Sequence, residues 1–149
     1  MDYLHHTDTE IADILSTVRH VAIVGASLND DKPSHWVAGF LLGKGYTIYP
    51  VNPAYAGQTL LGQTIYARLS DIPEHVDMID VFRRSEHFAG VVDEVLKLPD
   101  LPKAIWGQLG VRDDKAAEKA EAAGIKVIMD RSLVSEYAMV YGRSHGQAA

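Results

Sequence analysis

The sequence predicts an α/β fold: a doubly wound, mostly parallel sheet of five strands with helices on both faces, three layers in all. Short β-branched runs alternate with helical patterns of roughly 10–15 residues, the order that produces parallel strands joined by crossover helices. The first of these runs, Val21-Ala22-Ile23-Val24, is apolar throughout, as a strand buried on both faces must be. The length, 149 residues, suits one domain with a core of its own, expected to span 1–149.

The elements follow in order. Thr7 to Val18 reads as a helix, with Ile11, Ile14, Leu15 and Val18 on one face and Thr7 with Glu10 at capping-box spacing. His20 to Val24 is the first strand, ended by Gly25-Ala26-Ser27. Ser34 is placed to cap a helix running to about Lys44, with Val37, Phe40 and Leu41 inward and Gly45 as its stop. Tyr46 to Val51 is the second strand, closed by Asn52-Pro53. Ala54 to Arg68 reads as loop with a short extended piece at Thr64-Ile65-Tyr66, and Ser70 to Pro73 as a single turn.

Val76 to Phe82 is the third strand, interrupted by Asp77 and Asp80. Ser85 to Leu98 forms a helix with Phe88, Val91, Val92, Val95 and Leu96 on one face. Lys103 to Trp106 is the fourth strand, followed by Gly107-Gln108-Leu109-Gly110. Asp113 to Ala123 is an alanine-rich helix, Lys126 to Met129 the last strand, and Leu133 to Tyr141 a short terminal helix. Residues 1–6 and 142–149 are expected to be flexible.

Composition narrows the function. An apolar fraction of 47% with 23% charged residues belongs to a globular chain, not a disordered one. No cysteine is present, which excludes disulfides, thiolate metal sites and a cysteine nucleophile. No apolar run reaches the ~18 residues of a membrane span, and no signal peptide opens the chain. The expected compartment is the cytoplasm. A net charge of −6 argues against nucleic-acid binding, which needs a basic surface. A small anionic ligand, held by a few local cations and backbone N–H groups, remains open.

In a parallel sheet, ligands sit beyond the carboxyl ends of the strands, where strand order reverses. Gly25, Ala26 and Ser27 follow the first strand, and Lys32 and Ser34 lie at the next helix start. A glycine turn permits close approach, and a helix N-terminus favours an anion; as a set these five residues suggest a phosphate site. Val51, Asn52 and Pro53 form a rigid turn suited to a base or ribose, although the prolines alone also fit simple chain reversal. Phe82 and Arg83 end the third strand, a ring beside a cation, able to stack on a base and pair with phosphate. Gln108 and Gly110 follow the fourth, with Trp106 read as core. Asp80 needs a structural hydrogen-bond partner, and Asp130-Arg131 reads as a local pair.

Other chemistries fit poorly. The G-x-G-x-x-G fingerprint is missing, and Tyr49-Pro50-Val51-Asn52-Pro53 has no acidic residue for ribose hydroxyls. There is no Walker loop and no nucleophile elbow. The seven histidines show no ligand spacing. No group of residues assembles a nucleophile, a base and an oxyanion site.

These same segments resemble a known family. Val21 to Ser27, Lys32-Pro33-Ser34-His35, Gly45-Tyr46 through Pro53, Val81-Phe82-Arg83, Trp106 to Val111, Ala122 to Val127 and Met129-Asp130-Arg131 are similar to the small, free-standing CoA-binding proteins of bacteria and archaea. Those are related to the CoA-binding domain of the succinyl-CoA synthetase α subunit. The resemblance implies a Rossmann-like fold with coenzyme A, or an acyl-CoA, at the carboxyl edge of the sheet. It implies that Gly25, Ala26, Ser27, Lys32 and Ser34 hold phosphates, that Asn52 and Pro53 line the adenosine or ribose, and that Phe82 and Arg83 close the other side. The family commonly carries Cys-Pro after the Asp-Arg pair, where this chain has Ser132-Leu133. The chain ends before the second domain that ligase chemistry uses in the synthetase. The expectation is therefore a CoA-binding module without catalysis of its own, with a homodimer as the candidate assembly. An NAD(P)-dependent oxidoreductase and a regulatory scaffold with a vestigial nucleotide site are the alternatives.

Overall fold

The computed structural model describes residues 6–142. The ends expected to be flexible fall outside these residues, except for His6 and Gly142. Five α-helices are present: α1 (Asp8–Thr17), α2 (Pro33–Gly43), α3 (Phe88–Leu96), α4 (Asp114–Ala122) and α5 (Leu133–Tyr137). The strands are β1 (His20–Val24), β2 (Thr47–Val51), the short β3 (Thr59–Leu60) and β4 (Gln63–Thr64), then β5 (Met78–Val81), β6 (Ala104–Gly107) and β7 (Lys126–Ile128). The main sheet has the order β2-β1-β5-β6-β7, and every neighbouring pair in it is parallel. This is the Rossmann-like, doubly wound architecture. The chain moves from β1 out to β2, then returns across β1 to β5, so the order reverses between β1 and β5.

Strand alternation divides the core in two. Ala22, Val24, Ile79, Val81, Ile105 and Val127 face α3 and α4. Val21, Ile23, Met78, Trp106 and Ile128 face α1, α2 and α5. Trp106 and Phe88 are fully buried, one in each layer. Truncation of either to alanine is expected to cost about 3–5 kcal/mol.

Local differences from the sequence reading have physical causes. Lys32, not Ser34, occupies the N-cap of α2, and it makes no side-chain cap bond. Pro33 takes the first helical position because its fixed φ suits it, and Ser34 is buried at 3% exposure within the first turn. The helix expected from Ser85 opens as a 3-10 turn over Ser85–His87. There the Ser85 hydroxyl donates to the Gly110 carbonyl and accepts from the Arg112 N–H. The segment 54–68 contains the antiparallel pair β3–β4, while Tyr66 bridges Val51 in parallel. Asp130 and Arg131 do not pair. Asp130 accepts from the Gly110 N–H at 2.7 Å, and Arg131 reaches Glu136 at 2.8 Å. Among the described residues no helix is long and apolar enough to cross a membrane.

Candidate functional site

The carboxyl ends of β1 and β5 meet at Gly25 and Phe82. The Phe82 N–H donates to the Val24 carbonyl, and the Gly25 N–H donates to that of Val51. A Cβ on Gly25 would lie 2.5 Å from the Phe82 carbonyl oxygen, and φ there is +88°. Glycine is required by two independent constraints, crowding from the neighbouring strand and a left-handed backbone.

Two cavities flank this point, and Gly25 with Arg83 lines both. The larger, about 620 Å³, lies between the start of α2 and the segment after β6. Ser27, Lys32, Ser34, Phe82, Gln108 and Gly110 line it. The smaller, about 290 Å³, is bounded by Val51, Asn52 and Pro53 on one side and α3 on the other. Thus eleven of the twelve residues singled out from the sequence border one cavity or the other. Ala26 borders neither. It is fully buried, and its carbonyl accepts from the Asn52 side-chain amide at 2.8 Å. Asn52 also accepts from the Ala54 N–H, so its amide fixes the turn after β2 from both ends.

Electrostatics separate the larger cavity from the rest of the molecule. Lys32, Arg83 and Arg84 line it, and no carboxylate does. Arg84 is paired with Glu86 at 3.0 Å. Lys32 and Arg83 have no side-chain hydrogen bond or ion pair among the described residues. In a chain of net charge −6, two free cations at a topological switch point form a local anion-attracting field.

Comparison with known proteins shows the family. The family model described as CoA binding domain matches residues 19–138. The chain belongs to the CoA binding domain family. It is 35% identical over 130 residues to the uncharacterized protein YneT of Bacillus subtilis, covering 87% of this chain and 93% of that one. The structure of cell-free ID.343 from Thermus thermophilus superposes with a TM-score of 0.85 at 35% identity, covering 91% of this chain and 99% of that one. A hypothetical protein from Pyrococcus horikoshii gives 0.84 at 29% identity, with coverage of 95% and 99%.

Several residues of this CoA binding domain's cleft escaped the sequence reading. Trp36 is 62% exposed and Leu109 69% exposed, and both line the larger cavity. The signal for Trp36 was present: it is a large aromatic out of phase with the Val37–Leu41 face of α2. Ser132 also lines this cavity and caps α5 by accepting the Ser135 N–H. Arg68, His87 and Glu94 line the smaller cavity from segments read as loop or helix, and Glu94 is committed to the Leu69 N–H at 2.7 Å. His35, in the first turn of α2, borders neither.

Beneath the larger cavity lies Asp80. It is fully buried in β5, on the same face as Met78. Gln108 donates its side-chain amide to Asp80 Oδ1 at 2.6 Å. Asp80 Oδ2 is buried with no partner among the described residues. Burial pushes this carboxyl up to about 7, while the Gln108 hydrogen bond pulls it down.

Proposed function

We propose that the cleft binds coenzyme A or an acyl-CoA and performs no chemistry on it. The observation that carries the reading is the pair of free cations, Lys32 and Arg83, facing a cavity without carboxylates. Coenzyme A carries a pyrophosphate and a 3′-phosphate, which match these cations, the Ser27 and Ser34 hydroxyls and the N-terminus of α2. Val51, Asn52 and Pro53 would flank the adenosine or ribose in the smaller cavity. Arg83, shared by both cavities, can bridge the two halves. The apolar walls given by Phe82, Val37 and Val111 suit the uncharged arm of the cofactor.

Calorimetry tests this directly. Losing one charge-assisted contact costs about 1.5–3 kcal/mol, and about 1.4 kcal/mol is tenfold in affinity. Lys32→Ala and Arg83→Ala are each expected to weaken CoA binding at least about tenfold; unchanged affinity in both variants refutes the assignment. NADH and NADPH serve as controls. Without an acidic residue after β2 to take the ribose hydroxyls, neither is expected to bind. Mass spectrometry of the intact protein, purified gently, would show the mass of bound CoA or its acyl ester.

A further inference from the structure

We infer that Asp80 is a positioning residue that turns the carbonyl end of Gln108 toward the larger cavity, so that a ligand there must offer an N–H or O–H to it. The inference rests on the CoA reading and assigns one polar contact within it.

The geometry is specific. Gln108 lines the cavity, and its amide nitrogen is held by Asp80 Oδ1 at 2.6 Å. Oδ1 accepts from that nitrogen, and a proton on this carboxyl would sit on the unpartnered Oδ2, so in either protonation state the NH2 end of the amide faces Asp80. Oε1 of Gln108 has no hydrogen bond among the described residues, and it is not among the buried, unpartnered atoms. It is therefore accessible, on a residue that lines the cavity. Asp80 cannot swing away, because it is enclosed in the central strand between Ile23 and Trp106. Its own Oδ2 stays unpartnered, a cost that the fold carries at this position alone among the described residues.

An acceptor at this point sorts the ligand's parts. Phosphates at neutral pH offer acceptors, and Lys32 and Arg83 supply the donors they need. Gln108 Oε1 offers nothing to a phosphate. The pantetheine arm of coenzyme A carries two amide N–H groups and a hydroxyl; the nucleotide's own donors, the adenine amino group and the ribose 2′-hydroxyl, belong in the proposed reading to the smaller cavity, which Gln108 does not line. Gln108 thus recognises the arm, and Asp80 fixes the polarity of that recognition.

The test compares CoA with adenosine 3′,5′-bisphosphate, which keeps the nucleotide and lacks the arm. Gln108→Leu is expected to weaken CoA about fivefold to tenfold and leave the bisphosphate within about twofold. Asp80→Leu is expected to reproduce the Gln108→Leu loss, and the double variant to add nothing to it. Asp80→Ala repeats this measurement should the leucine not fold. Equal loss for both ligands, or no loss for CoA, in Gln108→Leu overturns the inference while leaving the CoA reading intact. Additive losses in the double variant overturn the role of Asp80. If the unaltered protein does not bind CoA, the CoA reading falls and this inference with it.

Discussion

The two cavities on either side of Gly25 and Arg83 are built to different rules. In the smaller one, apart from the shared Arg83, two polar side chains are committed to the fold: Asn52 ties the turn after β2 at both ends of its amide, and Glu94 holds the Leu69 N–H. In the larger one Lys32, Arg83 and the Gln108 carbonyl have no partner among the described residues. One side is committed to the fold, and the other holds polar groups without a protein partner among the described residues. The lesson is that bordering a cavity says little about a residue's role until its hydrogen bonds are counted.

The largest effect is expected at the junction between them. Gly25→Ala places a methyl 2.5 Å from the Phe82 carbonyl at φ +88°. A left-handed residue costs about 1–2 kcal/mol, and overpacking a further 1–3 kcal/mol or so. Gly110→Ala is the control, since φ is +86° but nothing lies within 4 Å. Thermal melts should show Gly25→Ala losing at least twice the stability of Gly110→Ala. Equal losses would mean that strand crowding at the switch point is not what demands the glycine.

Glu94→Ala comes next. It removes the acceptor of a partly buried N–H, at a cost of about 1–3 kcal/mol in stability. Because that carboxylate is scaffold, CoA affinity measured well below the melting temperature should change by less than about threefold. A larger loss of affinity with little loss of stability would reverse the contrast between the cavities.

How much of this was legible beforehand follows the same division. The strands, their order of appearance and the edge that carries the site came from apolar runs punctuated by Gly25, Asn52 and Gly110, because local backbone demands are written locally. The partnerships across the sheet were not legible. Asp80 was expected to find a partner, but that it would be Gln108, with one oxygen left over, depends on the register Asp80↔Trp106. Asp130 with Gly110, and Ser85 with Arg112, are likewise contacts between distant segments that no spacing announces. Ser34 was misread as a cap for a local reason, since Pro33 outcompetes it in setting the helix start.

Asp80 gives an effect that depends on pH. Its carboxyl sits at about 7 in the fold against 3.8 ordinarily. The folded state therefore holds a proton that the unfolded chain has released, and stability from this group falls as pH rises from about 4 to 7. Asparagine does not titrate. The melting temperature of Asp80→Asn relative to the unaltered protein should rise from pH 5 to pH 8, then level off. A constant difference across that range would show that Asp80 does not carry the shift.

The smallest stability effect is expected at the rim of the larger cavity. Trp36 is 62% exposed in the first turns of α2, on the side away from Val37 and Leu41. Its ring gains little from folding, so Trp36→Ala should keep stability within about 0.5 kcal/mol, a shift of no more than about 2 °C in a chain of this size. A ligand lodged between Lys32 and Gln108 would cover part of that ring, and burying apolar area contributes about 25 cal/mol per Å². CoA affinity should then fall by about twofold to fivefold, less than for either cation. A melting temperature that drops by more than about 4 °C would place Trp36 in the core rather than on the lip of the cleft. An affinity untouched by the truncation would confine the bound cofactor to the inner wall formed by Arg83 and Gln108.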